Sequence, residues 1–342
     1  MNNYSRLGLY KTKNMKKIND NSTSGVIKMY SQGGPEVLVY EEEVVSNPAT
    51  NQILLKHEAI GVNFVDIMFR NGTFPVTKFP TGAGVEASGI IEAVGKDITN
   101  FKTGDRVAYH HAMGAYAGRR LVSADNLVHL PDEISYETAA ALQAKGLTAN
   151  VLLNIVYEVK KGDVLLVHAA AGGVGSLLSK WAKSLGATVI GTVGSEEKKK
   201  QLVGLDGVIA LDTENAVERV LQITGGQKID VLYDGVGAAT FGRSVELIKP
   251  GGTAILFGYA SGFPKVDQNI LIQNQIRFVS PDIGRYIQSH QHLEDLSAEV
   301  YKQYLRGTFG EINPNRFPLA EAAEVHRKLE NRKTTGATIL IP

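Results

Sequence analysis

The chain has 342 residues, and 36 Lys and Arg against 35 Asp and Glu leave a formal net charge of +1, so overall charge draws it to neither nucleic acid nor an anionic membrane. The absence of Cys excludes disulfides, thiolate catalysis and every zinc site built on sulfur. No uninterrupted apolar run approaches the roughly 18–20 residues that span a bilayer, the length suits about two domains, and a cytoplasmic protein is expected.

Residues 1–25 are rich in Asn, Lys and Ser without an apolar stripe. They read as a disordered leader, or as sequence upstream of a start at Met15; Arg6, Lys11, Lys13, Lys16 and Lys17 precede the first acid, Asp20, but the apolar helical face of a transit peptide is missing. From Val26 to about Gly146 the pattern is one of short β-rich runs, Ile53–Ala59, Gly89–Val94, Gly104–Tyr109 and Leu127–Leu130, separated by turns such as Gly33-Gly34-Pro35 and Asn71-Gly72. Such spacing predicts a small barrel or distorted sandwich. After Leu147 the style changes to six near-continuous apolar runs, Val164–His168, Thr188–Val193, Val208–Leu211, Ile229–Tyr233, Thr253–Phe257 and Ile276–Ser280, alternating with helical stretches such as Ser176–Leu185 and Ala239–Ile248. Strands buried on both faces with βα alternation predict a doubly wound parallel sheet. Helical spacing over Ala320–Leu329 and a last strand at Ala337–Ile341 are expected to return to the first domain.

The first of the six strands runs into Ala169-Ala170-Ala171-Gly172-Gly173-Val174-Gly175 and then a helix, the context in which a dinucleotide's pyrophosphate meets a helix N-terminus. A strict G-x-G-x-x-G would place Gly at Ala170, so a plain βα turn remains open. Ala171, Gly172, Gly173 and Val174 are the candidates to cradle phosphate, and Gly175 to let helix and strand close up. About 20 residues on, where an NAD site carries an acid for the ribose 2′-hydroxyl, stand Gly194 and Ser195, followed by Glu196-Glu197-Lys198-Lys199-Lys200. The lysines read either as readers of a 2′-phosphate, chiefly Lys198, or as a solvated helix face.

Further motifs follow in order: Gly33-Gly34-Pro35-Glu36-Val37-Leu38, Gly61-Val62-Asn63-Phe64-Val65-Asp66, Gly84-Val85-Glu86-Ala87-Ser88-Gly89, Gly104-Asp105-Arg106-Val107, Lys145-Gly146-Leu147-Thr148-Ala149, Tyr233-Asp234-Gly235-Val236-Gly237 and Lys249-Pro250-Gly251-Gly252. With the glycine turn they make the chain from Val26 to Pro342 resemble the zeta-crystallin-like quinone oxidoreductases, the zinc-free branch of the medium-chain dehydrogenase/reductase superfamily. The resemblance implies an α/β protein with a GroES-like β-rich substrate domain (residues 26–146, with a return over 286–342) and a Rossmann domain (147–285). It implies NADPH in the cleft between them, a quinone as substrate, and a homodimer paired along the sixth Rossmann strand.

It also implies roles. Asn63 and Thr148 lie beside the nicotinamide, with Phe64 and Asp66 nearby, although an Asn after a strand is equally turn chemistry. Gly235 and Val236 close the fourth strand, where Gly235 and Gly237 are alternatively plain turn glycines. Phe257, Gly258, Tyr259, Phe278, Val279 and Ser280 frame the carboxamide, and Leu211 and Arg332 belong to the adenosine side. Tyr116 is the one phenol nearby as a proton donor. Departures are Lys180 where Gln is common, Leu211 for a Tyr near the adenosine phosphate, and Met68 and Phe74 for pocket tyrosines. The zinc branch would place Cys near Asn63 and His at Val85, and neither is there. Glu86 remains, expected in a structural hydrogen-bonding role. His110-His111 and His290-x-His292 do not share a helix face, so no metal is expected; His110, His111 and His168 read as loop, pocket-rim and strand residues. The implied reaction is NADPH-dependent reduction of quinones. Reduction of an activated C=C bond in an enal or enone is the alternative, and a non-catalytic cofactor-loaded or nucleic-acid-binding protein, disfavoured by the charge, is the third.

Overall fold

The computed structural model describes residues 23–342. Residues 1–22 of the expected leader lie outside the described residues, and Thr23 already opens the first strand. In chain order the elements are β1 (Thr23–Met29), β2 (Val39–Val44), β3 (Gln52–Val62), α1 (Phe64–Arg70), β4 (Thr81–Gly82), β5 (Glu86–Val94), β6 (Arg106–Tyr109), β7 (Arg119–Ser123), β8 (Leu127–His129) and α2 (Tyr136–Val151). Then come β9 (Val164–Val167), α3 (Gly173–Ser184), β10 (Thr188–Val193), α4 (Glu196–Gln201), β11 (Gly207–Ala210), α5 (Ala216–Ile223), β12 (Ile229–Asp234), α6 (Phe241–Ser244), β13 (Ile248–Leu256), α7 (Gln268–Gln273) and β14 (Arg277–Val279). The chain closes with α8 (His290–Leu305), β15 (Asn315–Pro318), α9 (Ala322–Glu330) and β16 (Thr338–Ile341).

β9 to β14 form one parallel sheet in the order β11-β10-β9-β12-β13-β14, the doubly wound arrangement whose winding reverses beside the first strand and leaves a crevice there for a ligand. Leu165, Leu166, Val167, Ile190, Leu232 and Ile255 are fully buried, because helices cover both faces and each strand must be apolar on both. The second sheet runs β15-β16-β3-β5-β6-β8 with β7 also on β3. The expected last strand does come back: β16 pairs antiparallel with β3, Ile339 opposite Gly61. Helix α6 is shorter than expected, passing into a single turn of 3₁₀ helix over Val245–Leu247. Strand β13 begins five residues early, because Lys249-Pro250-Gly251-Gly252 is absorbed as an irregularity in its pairing with β12.

Helix α2 holds Lys145-Gly146-Leu147 in its interior and runs through the expected domain boundary at 146–147. The Ser135 hydroxyl caps it by accepting the Thr138 N–H at 3.1 Å, and only Tyr136, Glu137 and Thr148 of its 16 residues escape burial. A helix apolar all round has no amphipathic stripe to betray it, and its central Gly reads as a breaker. Gly146 is there for contact: a Cβ would fall 2.4 Å from Val300 Cγ1 of α8. With the turn that follows, Tyr136–Val156 is long and apolar enough to cross a membrane, but 83% of its apolar window is buried inside the protein. It is a core helix.

The start of α1 is set by a buried polar chain. The Asn63 backbone N–H donates to Asp66 Oδ2 at 2.8 Å, the Tyr116 hydroxyl donates to the same oxygen at 2.9 Å, and His326 Nε2 of α9 lies 3.0 Å from that hydroxyl. Burial holds His326 down at about 3, so its ring is neutral and donates from Nε2. Arg70, 1% exposed, pairs with Glu330 at the far end of α9, so both ends of α1 are fastened to α9. Burial pushes the Asp66 carboxyl up to about 7, against the opposing hydrogen bonds from Asn63 and Tyr116. The folded state therefore holds this proton more tightly than the unfolded chain. That contribution to stability is complete below the ordinary Asp pKa of about 4 and is lost as pH rises to about 7. Asp66→Asn keeps an oxygen for both donors but carries no charge. Its stability relative to wild type should improve by about 2–3 kcal/mol between about pH 5 and about pH 8. Denaturant titrations that give the same difference at both pH values would refute this account of Asp66.

Candidate active site

At the end of β9 the backbone turns through Ala169, at φ +54, and Gly172 caps α3. Gly175 is dictated by packing, since a Cβ would lie 2.2 Å from the Ala169 carbonyl oxygen. The first N–H groups of α3 have no intrahelical acceptor and, with the helix dipole, favour an anion. The Ala171 carbonyl accepts the Gly336 N–H at 3.0 Å, so the segment before β16 lies along the turn. A Cβ on Gly173 would fall 2.9 Å from Lys145 Cδ, which brings the middle of α2 under the same turn. Ala171, Gly172, Gly173 and Val174 thus form the turn that leads from β9 into α3, with Gly336 and Lys145 against it. His168, expected in the strand, is the first residue of the turn after β9, buried with its ring nitrogens 2.7 Å from Thr192 Oγ1 and Ser244 Oγ.

The end of β10 carries no acid. Nothing lies within 4 Å of a Cβ built on Gly194, and Ser195 caps α4. Lys199 is engaged by Glu214 and Glu196, as a solvated face would be. Lys198 instead points across the sheet's end, where Nζ donates to the carbonyls of Arg332 at 2.7 Å and Thr334 at 3.1 Å. Burial and the charge of Arg332 hold its ammonium below the ordinary lysine value. Leu211, 36% exposed, donates its N–H to the Val193 carbonyl and so borders the same opening. Gly194, Ser195, Lys198, Leu211 and Arg332 form a cationic corner with free space, chemistry that fits a phosphate on the adenosine ribose.

At the other end of the glycine turn lies a buried cluster. Glu86, fully buried, accepts the Ala144 N–H at 2.6 Å on Oε1, and the Asn63 amide at 2.7 Å and the Lys145 ammonium at 3.2 Å on Oε2. Lys145 also donates to Asn63 Oδ1 at 2.9 Å. Space for the carboxylate exists only because residue 61 is Gly: a Cβ there would stand 2.1 Å from Glu86 Oε2. Asn63 is thus gripped at both ends of its amide, and one turn along α2 the Thr148 hydroxyl donates to the Ala144 carbonyl at 2.8 Å, leaving its oxygen as an acceptor. Lys145 is the member sequence reasoning passed over; its motif was noted, but nothing in the spacing shows that the side chain reaches Glu86.

The opposite wall comes from β12, β13 and β14. Asp234 is buried and structural: Oδ1 accepts the N–H groups of Val236 and Gly237, and Oδ2 the Thr240 hydroxyl. Gly235 and Gly258 approach so closely that a Cβ on Gly258 would lie 2.6 Å from the Gly235 carbonyl oxygen. Phe257 flanks Gly235, and the Tyr259 hydroxyl meets Ser280 Oγ at 2.5 Å. Phe278 and Val279 are half-buried beside them.

Two expected residues fall elsewhere. Tyr116 is fully buried, its hydroxyl spent between Asp66 and His326, and so it is no proton donor to a substrate. Asp66, 3% exposed, serves the start of α1 rather than a ribose, and Asn63, Phe64 and Val65 are the half-buried residues of that motif. The cause is the helix that begins at Phe64, which turns every residue in the Asp66 position inward. Lys180 likewise leaves the phosphate turn, donating to the Phe309 carbonyl at 2.7 Å.

Residues 49–132 match the alcohol dehydrogenase GroES-like domain and residues 173–299 the zinc-binding dehydrogenase domain; among the described residues no group of three or more His, Cys, Asp or Glu is placed to hold a metal ion. A quinone oxidoreductase of Pseudomonas aeruginosa is 42% identical over 322 residues, 92% of this chain and 99% of that protein. A 2-haloacrylate reductase of a Burkholderia species is 35% identical over 325 residues, 92% of this chain and 98% of that protein. The crystal structure of Escherichia coli quinone oxidoreductase complexed with NADPH matches with a TM-score of 0.90 at 39% identity, over 93% of this chain and 100% of that one. By sequence and by fold, this chain belongs to the quinone oxidoreductase family of the medium-chain dehydrogenase/reductase superfamily.

Proposed function

We propose that this protein is an NADPH-dependent quinone reductase, acting as a cytoplasmic homodimer. One observation carries the reading: the acid-free end of β10, with Ser195, Lys198 and Arg332 around open space, sits on the same sheet crevice as the glycine turn and the Asn63–Glu86–Lys145 cluster. Bound NADPH supplies the hydride. The protein's part is to hold, orient and exclude water. The first turn of α3 receives the pyrophosphate; Gly194, Ser195, Lys198 and Arg332 take the 2′-phosphate; Gly235, Val236, Phe257, Gly258, Tyr259, Phe278, Val279 and Ser280 wall the nicotinamide. Asn63, immobilised by Glu86 and Lys145, and Thr148 present fixed polar atoms toward the reacting end, so no reorganisation is required of them as charge moves. A quinone that has taken up hydride needs one proton, available from water, to become the aromatic hydroquinone.

The relative that reduces 2-haloacrylate favours a second reading, hydride delivery to an activated C=C bond in the same cleft. Loss of reduced-nicotinamide absorbance with a quinone panel and an enal panel separates the two: turnover is expected with quinones. Turnover confined to enals would support the second reading, and tight NADPH binding without turnover on either would make the protein a binding protein.

A charge-assisted hydrogen bond to phosphate contributes on the order of 1.5–3 kcal/mol. Lys198→Ala should therefore raise the KM for NADPH roughly 10- to 100-fold and leave that for NADH nearly unchanged. Equal loss with both cofactors would remove Lys198 from the 2′-phosphate.

Two organisational readings go with this function. Residues 26–146 and 286–342 act as the acceptor-binding unit and 147–285 as the nucleotide-binding unit, joined through α2. β14 is the outermost strand of the six-stranded sheet, and Phe263 and Ile272 near it are 60% and 73% exposed; an unpaired edge with apolar neighbours invites pairing across a two-fold axis. Light scattering at micromolar concentration should return twice the chain mass, and a monomeric mass would exclude the dimer.

A further inference from the structure

A cavity of about 240 Å³ opens where β6 ends, with His110, His111, Leu147, Ile287 and Leu293 among the residues that line it and Asp125 on its polar side. It adjoins the polar cluster already described. β5 and β6 pair with Ala87 opposite Tyr109, so the next residue on each strand is Glu86 on one side and His110 on the other. Leu147 stands between Lys145 and Thr148 on α2.

His110 is only 9% exposed, and its Nδ1 is buried without a hydrogen-bond partner among the described residues. A buried ring nitrogen left unpaired is unfavourable by about 1–3 kcal/mol and asks for a reason. Burial, with the charges of His111 and Lys145, holds the ring well below the ordinary histidine value, so it is neutral and has a single N–H. An unpaired N–H is less tolerable inside a protein than an unpaired acceptor. The proton therefore belongs on Nε2, away from the sealed Nδ1. His111 packs against it, ring centroids 4.1 Å apart, on a backbone held at φ +70; that left-handed conformation is uncommon for a residue other than Gly and turns both rings to one cavity.

We propose that this cavity seats the oxygen-bearing end of the acceptor, with the His110 N–H donating to a carbonyl oxygen of a one- or two-ring quinone. Leu147, Ile287 and Leu293 supply apolar contact to the ring, and Asp125, Asn126, Gln288, Ser289 and His290 make the rest of the lining polar. The volume is below the ~300–1,000 Å³ of sites for drug-sized ligands, which suits a compact acceptor. This inference rests on the quinone-reductase reading and names its acceptor.

His110→Phe keeps a ring of similar size without the N–H, and His110→Gln restores a donor. With His110→Phe the KM for p-benzoquinone should rise about 10-fold, while the calorimetric affinity for NADPH and the melting temperature stay at wild-type values. His110→Gln should recover most of the loss. An unchanged p-benzoquinone KM in His110→Phe, or equal losses in both variants, overturns the proposal. Should His110→Phe fail to fold, Ile287→Trp fills the cavity from the opposite wall and should raise the same KM, and an unchanged KM there counts against the site. A wild-type protein that reduces no quinone refutes the functional reading instead. Titration of hydroquinone, which accepts no hydride, into NADPH-loaded wild type and His110→Phe then decides the cavity, and equal affinities reject it.

Discussion

The carboxylate of Glu86 is the contact on which the arrangement depends. It is fully buried, and removing a charge from water costs several kcal/mol unless its oxygens are filled. They are filled from three directions: a backbone N–H of α2, the amide at the start of α1, and the ammonium of Lys145. One ionic group thereby holds the first residue of β5, the N-terminus of α1 and the centre of α2 in a single relation. The Lys145 stem then lies against Gly173, so the same group also sets where the glycine turn stands relative to Asn63. Replacing such a pair by apolar residues often leaves stability unchanged or raises it. Its value here is positional.

What the sequence made legible follows from periodicity and chemistry. The six Rossmann strands are near-continuous apolar runs because both faces are covered, and the glycines at 172 and 175 announce a turn that only a close approach requires. The missing acid after β10 is equally visible as a simple absence at a counted position. Illegible were the features whose logic is three-dimensional. Helix α2 hides because it is buried all round, and Gly146 inside it reads as punctuation. Lys145 and Glu86 are 59 residues apart, with nothing local to pair them. Tyr116 looked available because a sequence shows a phenol but not the Asp66 and His326 that consume it. The unpartnered nitrogen of His110 is likewise a fact about its surroundings.

The two ends of the cleft use opposite physics. At the end of β10, Lys198 and Arg332 are held close beside open space, with Glu197 only partly offsetting the charge of Arg332 on Lys198. Around Glu86 and His110 the groups are buried and mutually neutralised or neutral, with both apolar and polar residues lining the adjoining cavity. On the proposed assignment, a cofactor carrying several negative charges is drawn by the first region, while an uncharged aromatic acceptor is indifferent to it. The order in which the two ligands are selected need not rest on shape alone.

The contact of Lys198 with the carbonyls of Arg332 and Thr334 spans 134 and 136 residues of chain, and Gly336 reaches back to Ala171 in the same way. During synthesis from the N-terminus the parallel sheet is complete once Val279 has emerged, yet the corner beside Gly194 still lacks its far side. A nascent chain therefore passes through a stage with a finished nucleotide fold and an unfinished nucleotide site. On the proposed assignment, full cofactor capture waits until the segment bearing residues 332–336 has folded back, by which time β16 is being added to the other sheet. Ligand binding at that corner would then report that both sheets are assembled, a check on completion as well as a step in the reaction.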